Sequence, residues 1–364
     1  MRNSTFVNAI VFSVIGVSVA IAVTNFVIDP YGKNNIFSNE LNRFKIVRDE
    51  RIGKFELLNN NQDATSFIFG SSRGLILDPG VVDEITAEKT LNLAFSSATA
   101  EEYLLYIKYL FETRKVGNII IGIDLFAYAE GFDSTGTYPQ GIRDYFEMDN
   151  VYDVAPYLSF RMFKRTIKAI RYNLSHDVDD IDDRYTDNGK ILLRDYLEAL
   201  NDKDDLEYYV TKNVVTRPAR WATRYDGLDM GRLNALDKIK QLCVQNQANL
   251  YVFTSPLYIK QVTMKQNKFY LQKDLLRYIV RNISPVLDMN TIQRTNTDPT
   301  FFIDNFHYSY DFADSILTQL LTGEPVDNKY RGEVVTKENI EPYLDKIEGR
   351  LKVIKSGQGA LTTD

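Results

Sequence analysis

The strongest constraint in this sequence is an N-terminal stretch without charge. No Asp, Glu, Lys or Arg occurs between Asn3 and Ile28, and residues 6–28 consist mainly of Val, Ile, Ala and Phe. A helix rises about 1.5 Å per residue, so roughly 20 such residues cross the hydrocarbon core of a membrane. We therefore predict a transmembrane helix over residues 6–28, with residues 1–5 forming a short cytoplasmic N-terminus.

Charges at the two ends of this stretch favour one orientation. Arg2 precedes the apolar residues and Asp29 follows them. A cation ahead of a first membrane span favours a cytoplasmic N-terminus and export of the remaining chain. The alternative is a cleaved signal peptide, because Ala20-Ile21-Ala22 has the small–x–small form that signal peptidase accepts. Both interpretations place the rest of the chain outside the cytoplasm.

Composition excludes several classes of protein. The formal net charge is −6, so no basic field indicates a nucleic-acid partner. The chain has one cysteine, Cys243, which excludes an internal disulfide and a cysteine-rich zinc cluster. Cys243 lies on the apolar face of a helical pattern, which favours a buried structural thiol. We expect neither a metal nor a cofactor.

Short apolar runs alternate with helical patterns along the rest of the chain. The predicted strands are residues 66–69, 91–94, 118–123, 249–254 and 286–289. The predicted helices are residues 99–115, 230–247, 265–282, 310–321 and 340–354. Thr99 and Glu102 form a capping-box pattern at the start of the first of these helices. The alternation predicts an α/β fold, a flavodoxin-like three-layer sandwich with a mostly parallel five-stranded sheet.

The alternation also defines the domain organisation. We predict an α/β domain over residues 29–322, followed by a polar helical tail over residues 323–364. Residues 129–226 lack a strand signal and have an aromatic-rich helical pattern, so they are interpreted as an inserted helical subdomain. The acidic run at residues 177–183 lacks the glycine and terminal glutamate of an EF-hand loop, and we interpret it as a solvated loop.

Two short motifs carry candidate chemistry. The first strand leads into Gly70-Ser71-Ser72-Arg73-Gly74, a tight turn at the carboxyl edge of the sheet, where open α/β sheets bind ligands. Asp304-Asn305-Phe306-His307 follows the last strand. A histidine that takes a proton from serine is held in one tautomer by a carboxylate, and an Asp three residues away on a turn can do this. The other histidine, His176, adjoins the acidic run and is interpreted as a surface residue.

The order of these motifs resembles that of the SGNH (GDSL-like) hydrolase superfamily. The resemblance covers about residues 60 to 322, interrupted by the insertion. The chain is most similar to a membrane-anchored bacterial branch that serves acyl transfer onto cell-envelope polymers, which has a Gly-Ser-Ser nucleophile context. Asp29-Pro30-Tyr31-Gly32 after the anchor is also typical of that branch. The resemblance implies that Ser72 is the nucleophile, His307 the general base and Asp304 the carboxylate that orients His307.

The chain departs from the family in the motifs that supply oxyanion donors. Ser97 stands where the family has a glycine, although its backbone N–H, like that of Ser72, remains a candidate donor. Asp124 stands where the family has an asparagine whose amide donates a hydrogen bond. An ionised Asp cannot donate, and loss of one such donor costs about 10²–10³ in rate. Arg73 would line the site, either binding an anionic sugar or phosphate or pairing with Asp124 or another carboxylate.

The resemblance implies a single-pass protein of the bacterial inner membrane with its domain on the periplasmic side. The implied function is that of a serine acyltransferase or esterase acting on acyl esters of cell-envelope polysaccharide. By analogy with the branch, the acyl group is acetyl. The implied partners are a carbohydrate substrate and a multispanning acyl-donor membrane protein. Two alternatives remain open: a catalytically silent protein that binds glycan or organises an assembly, and a lipase-like ester hydrolase in which the insertion forms a lid.

Overall fold

The chain forms two compact units. The computed structural model describes residues 2–30, 36–37, 40–42, 50–132, 156–175, 185–218, 227–263 and 269–356. The first unit comprises residues 1–53 and 137–183, and the second comprises residues 54–136 and 184–364.

The described helices and strands are numbered here in chain order. The helices are α1 (Arg2–Ile28), α2 (Glu50–Asn60), α3 (Pro79–Thr86), α4 (Ala100–Thr113), α5 (Phe160–Ser175), α6 (Arg194–Ala199), α7 (Lys203–Val210), α8 (Met230–Gln245), α9 (Ile259–Thr263), α10 (Phe269–Asn282), α11 (Arg294–Thr297), α12 (Tyr310–Thr322) and α13 (Ile340–Lys355). The strands are β1 (Ser66–Phe69), β2 (Thr90–Asn92), β3 (Asn118–Ile123), β4 (Asn249–Thr254), β5 (Val286–Asp288) and β6 (Glu333–Val335).

The second unit contains a six-stranded sheet in the order β2-β1-β3-β4-β5-β6. The first five strands are parallel, and β6 pairs with β5 in the antiparallel direction. The predicted α/β class and mostly parallel sheet are confirmed. The order 2-1-3-4-5 is one of the two common orders of doubly wound sheets, which bind ligands at the carboxyl ends of their strands.

The prediction of five strands is wrong because β6 lies in the segment predicted as a helical tail. β6 has only three residues, and Val334 is half exposed while Val335 is buried. So short a run has no usable periodicity, and its pairing with β5 depends on backbone hydrogen bonds rather than on a side-chain pattern. The rest of the tail contains α13, close to the predicted helix at residues 340–354.

The central strands are buried on both faces, which explains their continuous apolar sequences. Every residue of β1 and β3 is buried. Gly122 in β3 is required by packing, because a Cβ there would lie 2.9 Å from the ring of Phe253 in β4. Because these strands run parallel, the carboxyl ends of β1, β3, β4 and β5 meet at one edge of the sheet. The loops that follow them carry the candidate site.

Two further sequence predictions fall on described helices. The backbone N–H of Thr99 donates to the Glu102 carboxylate at 2.9 Å, as the capping box requires. Thr99 is the residue that precedes the first turn of α4. Cys243 in α8 is buried, and burial raises the pKa of its thiol to about 12. A thiol in that state is not reactive at neutral pH, which is consistent with a structural role.

The N-terminal helix is the one described helix that is long and apolar enough to cross a membrane. The qualifying segment is Phe6–Ile28, and a secretory signal would have the same character. Side chains from residue 6 to residue 17 are exposed, whereas Asn25 and Ile28 are buried. The last turns of α1 therefore belong to the folded part of the first unit.

The stretch predicted as one helical insertion, residues 129–226, is divided between the two units. α5 lies in the first unit, whereas α6, α7 and a π-helical turn at Thr211–Val215 lie in the second. The second unit also contains an antiparallel bridge between Tyr185 and Ile191. The acidic run at residues 177–183 and His176 lie outside the described residues.

Asp314 in α12 provides a pH-dependent test of this fold. Burial raises the pKa of its carboxyl to about 6, with Asp78 and Asp311 adding to the shift and Lys190 opposing it. The folded state then binds a proton more tightly than the unfolded state, so stability falls as pH rises from about 4 to 6. We expect Asp314→Asn to raise the free energy of unfolding by about 1–2 kcal/mol at pH 8, a figure reduced for the partial exposure of the side chain. At pH 3.5 we expect no change in the free energy of unfolding.

Urea unfolding of the wild type and the variant across this pH range would measure the effect. The exposed Asp345→Asn serves as a control and should change stability by less than about 0.5 kcal/mol at every pH. A difference between wild type and Asp314→Asn that does not grow with pH would contradict the prediction.

Candidate active site

The turn after β1 is built to bring its backbone close to neighbouring elements. A Cβ on Gly70 would lie 3.2 Å from the Cα of Gly74, and one on Gly74 would lie 3.0 Å from the Cβ of Ala94. The buried amide of Asn92 donates to the carbonyls of Gly74 at 2.8 Å and Leu77 at 2.9 Å. These contacts fix the turn that carries Ser72 against the end of β2.

Three predicted residues form a continuous chain of hydrogen bonds. The Ser72 hydroxyl lies 2.9 Å from Nε2 of His307, and Nδ1 of His307 lies 3.0 Å from both carboxyl oxygens of Asp304. In the arrangement that satisfies all three groups, His307 carries its proton on Nδ1, donates it to Asp304 and accepts from Ser72. The order nucleophile, imidazole and carboxylate is that of a Ser-His-Asp triad.

Asp304 is held as a carboxylate. Burial raises the pKa of its carboxyl, but the hydrogen bond and charge of His307 and the backbone N–H groups of Phe306 and His307 outweigh that effect and leave it below its usual value. The Phe306 and His307 N–H groups lie 2.7 and 2.9 Å from Oδ1. Arg217 adds a cation 3.7 Å from Oδ2. A carboxylate in this state keeps His307 oriented over a wide pH range.

Asp124 is fully occupied by side chains of the Ser72 turn. One of its oxygens forms an ion pair with Arg73, and the other accepts a hydrogen bond from the Ser71 hydroxyl at 2.5 Å. The Asp124 side chain is completely buried and that of Arg73 is 11% exposed. The charge of Asp124 is therefore neutralised by its neighbour, and Arg73 forms the structural pair that was one of its two predicted roles.

Arg73 also connects the two halves of the site. Its Nε donates to the carbonyl of Phe306 at 2.8 Å, while its terminal nitrogen pairs with Asp124. Phe306 lies between Asp304 and His307 in the second motif. One guanidinium therefore ties the serine turn, the end of β3 and the histidine turn together, since its donors form a rigid planar fork.

The two candidate oxyanion donors have free backbone N–H groups. Within the described part of the chain, neither Ser72 nor Ser97 uses its N–H in a hydrogen bond. Ser97 has φ of 57°, in the left-handed region that glycine adopts most easily. Serine adopts this conformation at a cost of about 1–2 kcal/mol.

Two buried tyrosines lie within electrostatic reach of Asp124. The hydroxyls of Tyr128 and Tyr308 are buried and have no hydrogen-bond partner among the described residues. Burial raises the pKa of both phenols, and the charge of Asp124 raises it further. Both phenols therefore stay protonated at neutral pH.

A cleft opens at the same edge of the sheet. Its polar lining includes Arg73, Asp124, Ser255 and Asn290, which follow strands, and Gln272 of α10. Its apolar lining includes Leu275, also of α10. The triad residues themselves do not line it. The cleft adjoins the site through Arg73 and Asp124, so a ligand in it would contact the ion pair rather than the Ser72 hydroxyl.

Sequence reasoning missed several residues of this arrangement. Ser71 and Tyr308 are direct neighbours of predicted residues, and their positions in the motifs were a usable signal. Arg217 lies in the stretch interpreted as an insertion, and nothing in the sequence connects it to Asp304. Its carbonyl also accepts a hydrogen bond from the amide of Asn305 at 2.6 Å, which ties this segment to the histidine turn.

Within the described residues, no group of three or more His, Cys, Asp or Glu side chains is placed to hold a metal ion. Comparison with known proteins finds no family model that matches this chain and no matching curated protein.

Proposed function

We propose that this chain is a membrane-tethered, SGNH-like serine acyltransferase or esterase of the bacterial cell envelope. Its substrates are acyl esters, with acetyl the preferred group, and a polysaccharide hydroxyl or water accepts the acyl group. The observation that carries the proposal is the hydrogen-bonded chain from Ser72 through His307 to Asp304. Ser72 and His307 are 235 residues apart in the sequence, His307 and Asp304 are 3 apart, and the three meet in catalytic order.

The proposed reaction has two halves. Ser72 Oγ attacks the ester carbonyl while its proton passes to Nε2 of His307, which then protonates the leaving alkoxide as the ester C–O bond breaks. In the second half His307 removes the proton of a sugar hydroxyl or water, which attacks the acyl-serine. The proton then returns to Ser72 and the ester or acid is released. Asp304 stabilises the imidazolium formed in each half.

The ion pair answers the main objection to catalysis. A free carboxylate at position 124 would repel a developing oxyanion, but Arg73 neutralises it and Ser71 satisfies its second oxygen. The oxyanion donors are then the N–H groups of Ser72 and Ser97. A catalytically silent protein has no need of an aligned nucleophile, base and carboxylate, so the triad favours the enzyme over the silent alternative.

The tether supports transfer to a polymer over release of a soluble product. α1 holds the chain at a membrane surface, where envelope polysaccharides are made. This would be a single pass of the bacterial inner membrane, with the catalytic domain on the periplasmic side and a multispanning membrane protein as the acyl donor. Tyr157 of the insertion adds no support for a sugar platform, because it is buried and packs against Phe26, with ring centroids 5.1 Å apart.

The proposal is tested by covalent labelling of the purified full chain. A fluorophosphonate reacts with serine only where a base activates the hydroxyl, so we expect stoichiometric modification of the peptide that contains Ser72. Tandem mass spectrometry would locate the adduct. Modification should be absent in Ser72→Ala and should persist in Ser71→Ala, since the Ser71 hydroxyl is directed to Asp124 rather than to His307.

Lack of labelling in a folded wild-type chain would contradict catalysis and favour the silent, glycan-binding alternative. A labelled chain that hydrolyses esters but does not acylate polysaccharide would favour the hydrolase. Loss of polymer acylation in cells carrying Ser72→Ala, at an unchanged level of the protein, would support transfer.

A further inference from the structure

α5 in the first unit has an unusual charge distribution. Its 16 residues include five cations, Arg161, Lys164, Arg165, Lys168 and Arg171, and no acid. The whole chain, by contrast, has a net charge of −6. The positive charge is therefore concentrated on one helix of an acidic protein. What α5 can bind depends on the residues around it.

One face of α5 packs into the first unit. The buried residues Met162, Thr166, Ala169 and Asn173 recur at helical spacing. The Thr166 hydroxyl donates to the side-chain oxygen of Asn25 in α1 at 2.6 Å. These residues form the inner face of the helix, whereas Lys164, Lys168 and Arg171 are exposed.

Asn25 places α5 near the end of the apolar segment. Its side-chain nitrogen donates to the carbonyl of Tyr157 at 2.7 Å, just before α5 begins. A buried amide is costly unless it is hydrogen-bonded, and Asn25 is satisfied on both sides of its amide. Asn25 lies three residues before Ile28, where the segment Phe6–Ile28 ends, a distance of about 4.5 Å along the helix axis. α5 therefore packs at the level where α1 would leave the hydrocarbon core.

Another face of α5 is a basic stripe. Lys164, Lys168 and Arg171 are all exposed and lie four and three residues apart, so they project from one side of the helix. Among the described residues, none of the three pairs with a carboxylate. The Lys164 ammonium lies 5.3 Å from the ring centroid of Phe160.

Large apolar side chains flank the stripe. Leu158 is 52% exposed, Phe160 60% and Leu174 70%. Helices that lie in the membrane interface combine exposed apolar residues with Lys and Arg that reach the headgroups. Cations that lie beside an anionic lipid surface are attracted to it electrostatically.

We propose that Lys164, Lys168 and Arg171 form a binding site for the phosphate headgroups of anionic phospholipids, where α1 leaves the membrane. The proposal rests on the membrane anchoring of α1 and is independent of the chemistry proposed for Ser72. The site fixes the first unit against the lipid surface by charge as well as through its apolar helix.

Lysine acylation of the full chain in lipid nanodiscs tests this site. A water-soluble amine-reactive ester is applied to chain held in zwitterionic discs or in discs with about one-third anionic phosphatidylglycerol, and each lysine is quantified by mass spectrometry. Exposed Lys108, Lys203 and Lys238 of the second unit are references in the same sample. We expect acylation of Lys164 and Lys168, relative to these references, to be at least about threefold slower in anionic discs.

Salt and a soluble polyanion separate the alternatives. About 0.5 M NaCl reduces the Debye length to a few ångströms and should restore reactivity in anionic discs. Equal reactivity in the two kinds of disc would overturn the headgroup site, including the case in which the acidic run at residues 177–183 covers α5. Protection by a soluble polyuronate but not by anionic lipid would overturn it in favour of a polysaccharide. Failure of the chain to enter either disc would overturn both the anchor and the site.

Charge variants provide a second measurement. Lys164→Gln/Lys168→Gln/Arg171→Gln should retain at least about threefold less phosphatidylglycerol than wild type after purification in detergent. Lys108→Gln/Lys203→Gln/Lys238→Gln removes the same charge elsewhere and should match wild type. Lys164→Arg/Lys168→Arg/Arg171→Lys should also match it, and loss of lipid in this variant would contradict a charge-based site. Labelling of Ser72 should persist in all three.

Discussion

Replacing Ser72 by alanine is expected to lower the turnover of p-nitrophenyl acetate by the purified chain at least about 10³-fold. The hydroxyl that His307 activates is then missing, and the imidazole has no proton to accept. His307→Ala should cost a similar factor, because serine without its base is a weak nucleophile. The double variant should be no slower than either single one, since residues that act as a unit do not contribute additively.

The neighbouring serine is the matched control for this measurement. Ser71→Ala removes a hydroxyl from the same turn, but one that binds Asp124. We expect its turnover to stay within about tenfold of wild type, because the variant loses only one hydrogen bond between a neutral and a charged group near the site. Equal losses in Ser71→Ala and Ser72→Ala would indicate that the turn, rather than the nucleophile, was damaged. Unchanged turnover in Ser72→Ala would contradict the proposed mechanism.

Replacing Asp124 by alanine is expected to destabilise the chain by about 3–5 kcal/mol. The variant leaves the largely buried Arg73 guanidinium without its counter-ion, and an uncompensated buried charge is far more costly than the pair is stabilising. Arg73→Met/Asp124→Leu removes both charges and should recover much of the loss. Urea unfolding of wild type, Arg73→Met, Asp124→Leu and Arg73→Met/Asp124→Leu forms a double-mutant cycle that measures the coupling directly.

An exposed ion pair is the control for Asp124. Asp63 pairs with Lys89 at 2.8 Å, with side chains 71% and 43% exposed. Asp63→Ala should cost less than about 1 kcal/mol, because solvent screens such pairs. If Asp124→Ala costs no more than Asp63→Ala, the Arg73–Asp124 pair does not hold the site together.

Asp124→Asn distinguishes the role of this residue from that of a missing oxyanion donor. The substitution introduces an amide that can donate a hydrogen bond, yet it also leaves Arg73 without a counter-ion. We expect lower stability and no gain in turnover, because Arg73 and Ser71 already occupy the space around position 124. A gain of tenfold or more would instead identify Asp124 as a defect in an oxyanion hole.

The parallel strands could be predicted because their signal is local. β1 and β3 are buried on both faces, and such strands have unbroken apolar sequences. β6 could not be predicted, since three residues at a sheet edge have no periodicity and depend on the backbone of β5 for pairing. The boundaries of β2 and β5 were also shifted by one or two residues, because the apolar runs continue beyond the hydrogen-bonded strands.

The candidate site also has parts that could be predicted from the sequence and parts that could not. The order of Ser72, Asp304 and His307 is visible in the sequence because each follows a strand, and parallel strands bring their carboxyl ends to one edge. The Arg73–Asp124 pair was only one of two predicted roles for Arg73. Arg217 gave no signal, because its approach to Asp304 depends on how a long segment packs.

By itself, the sequence determined the apolar helix and the α/β class, because each depends on composition or periodicity within one segment. The roles of Ser72, His307 and Asp304 were predicted from the order of two motifs, which resembles that of a known family. Only the tertiary structure decided that Arg73 neutralises Asp124, that β6 pairs with β5 at one edge of the sheet, and that Asn25 joins α5 to α1. These contacts connect segments far apart in the chain. Their geometry depends on how whole elements pack, and local pattern does not encode that.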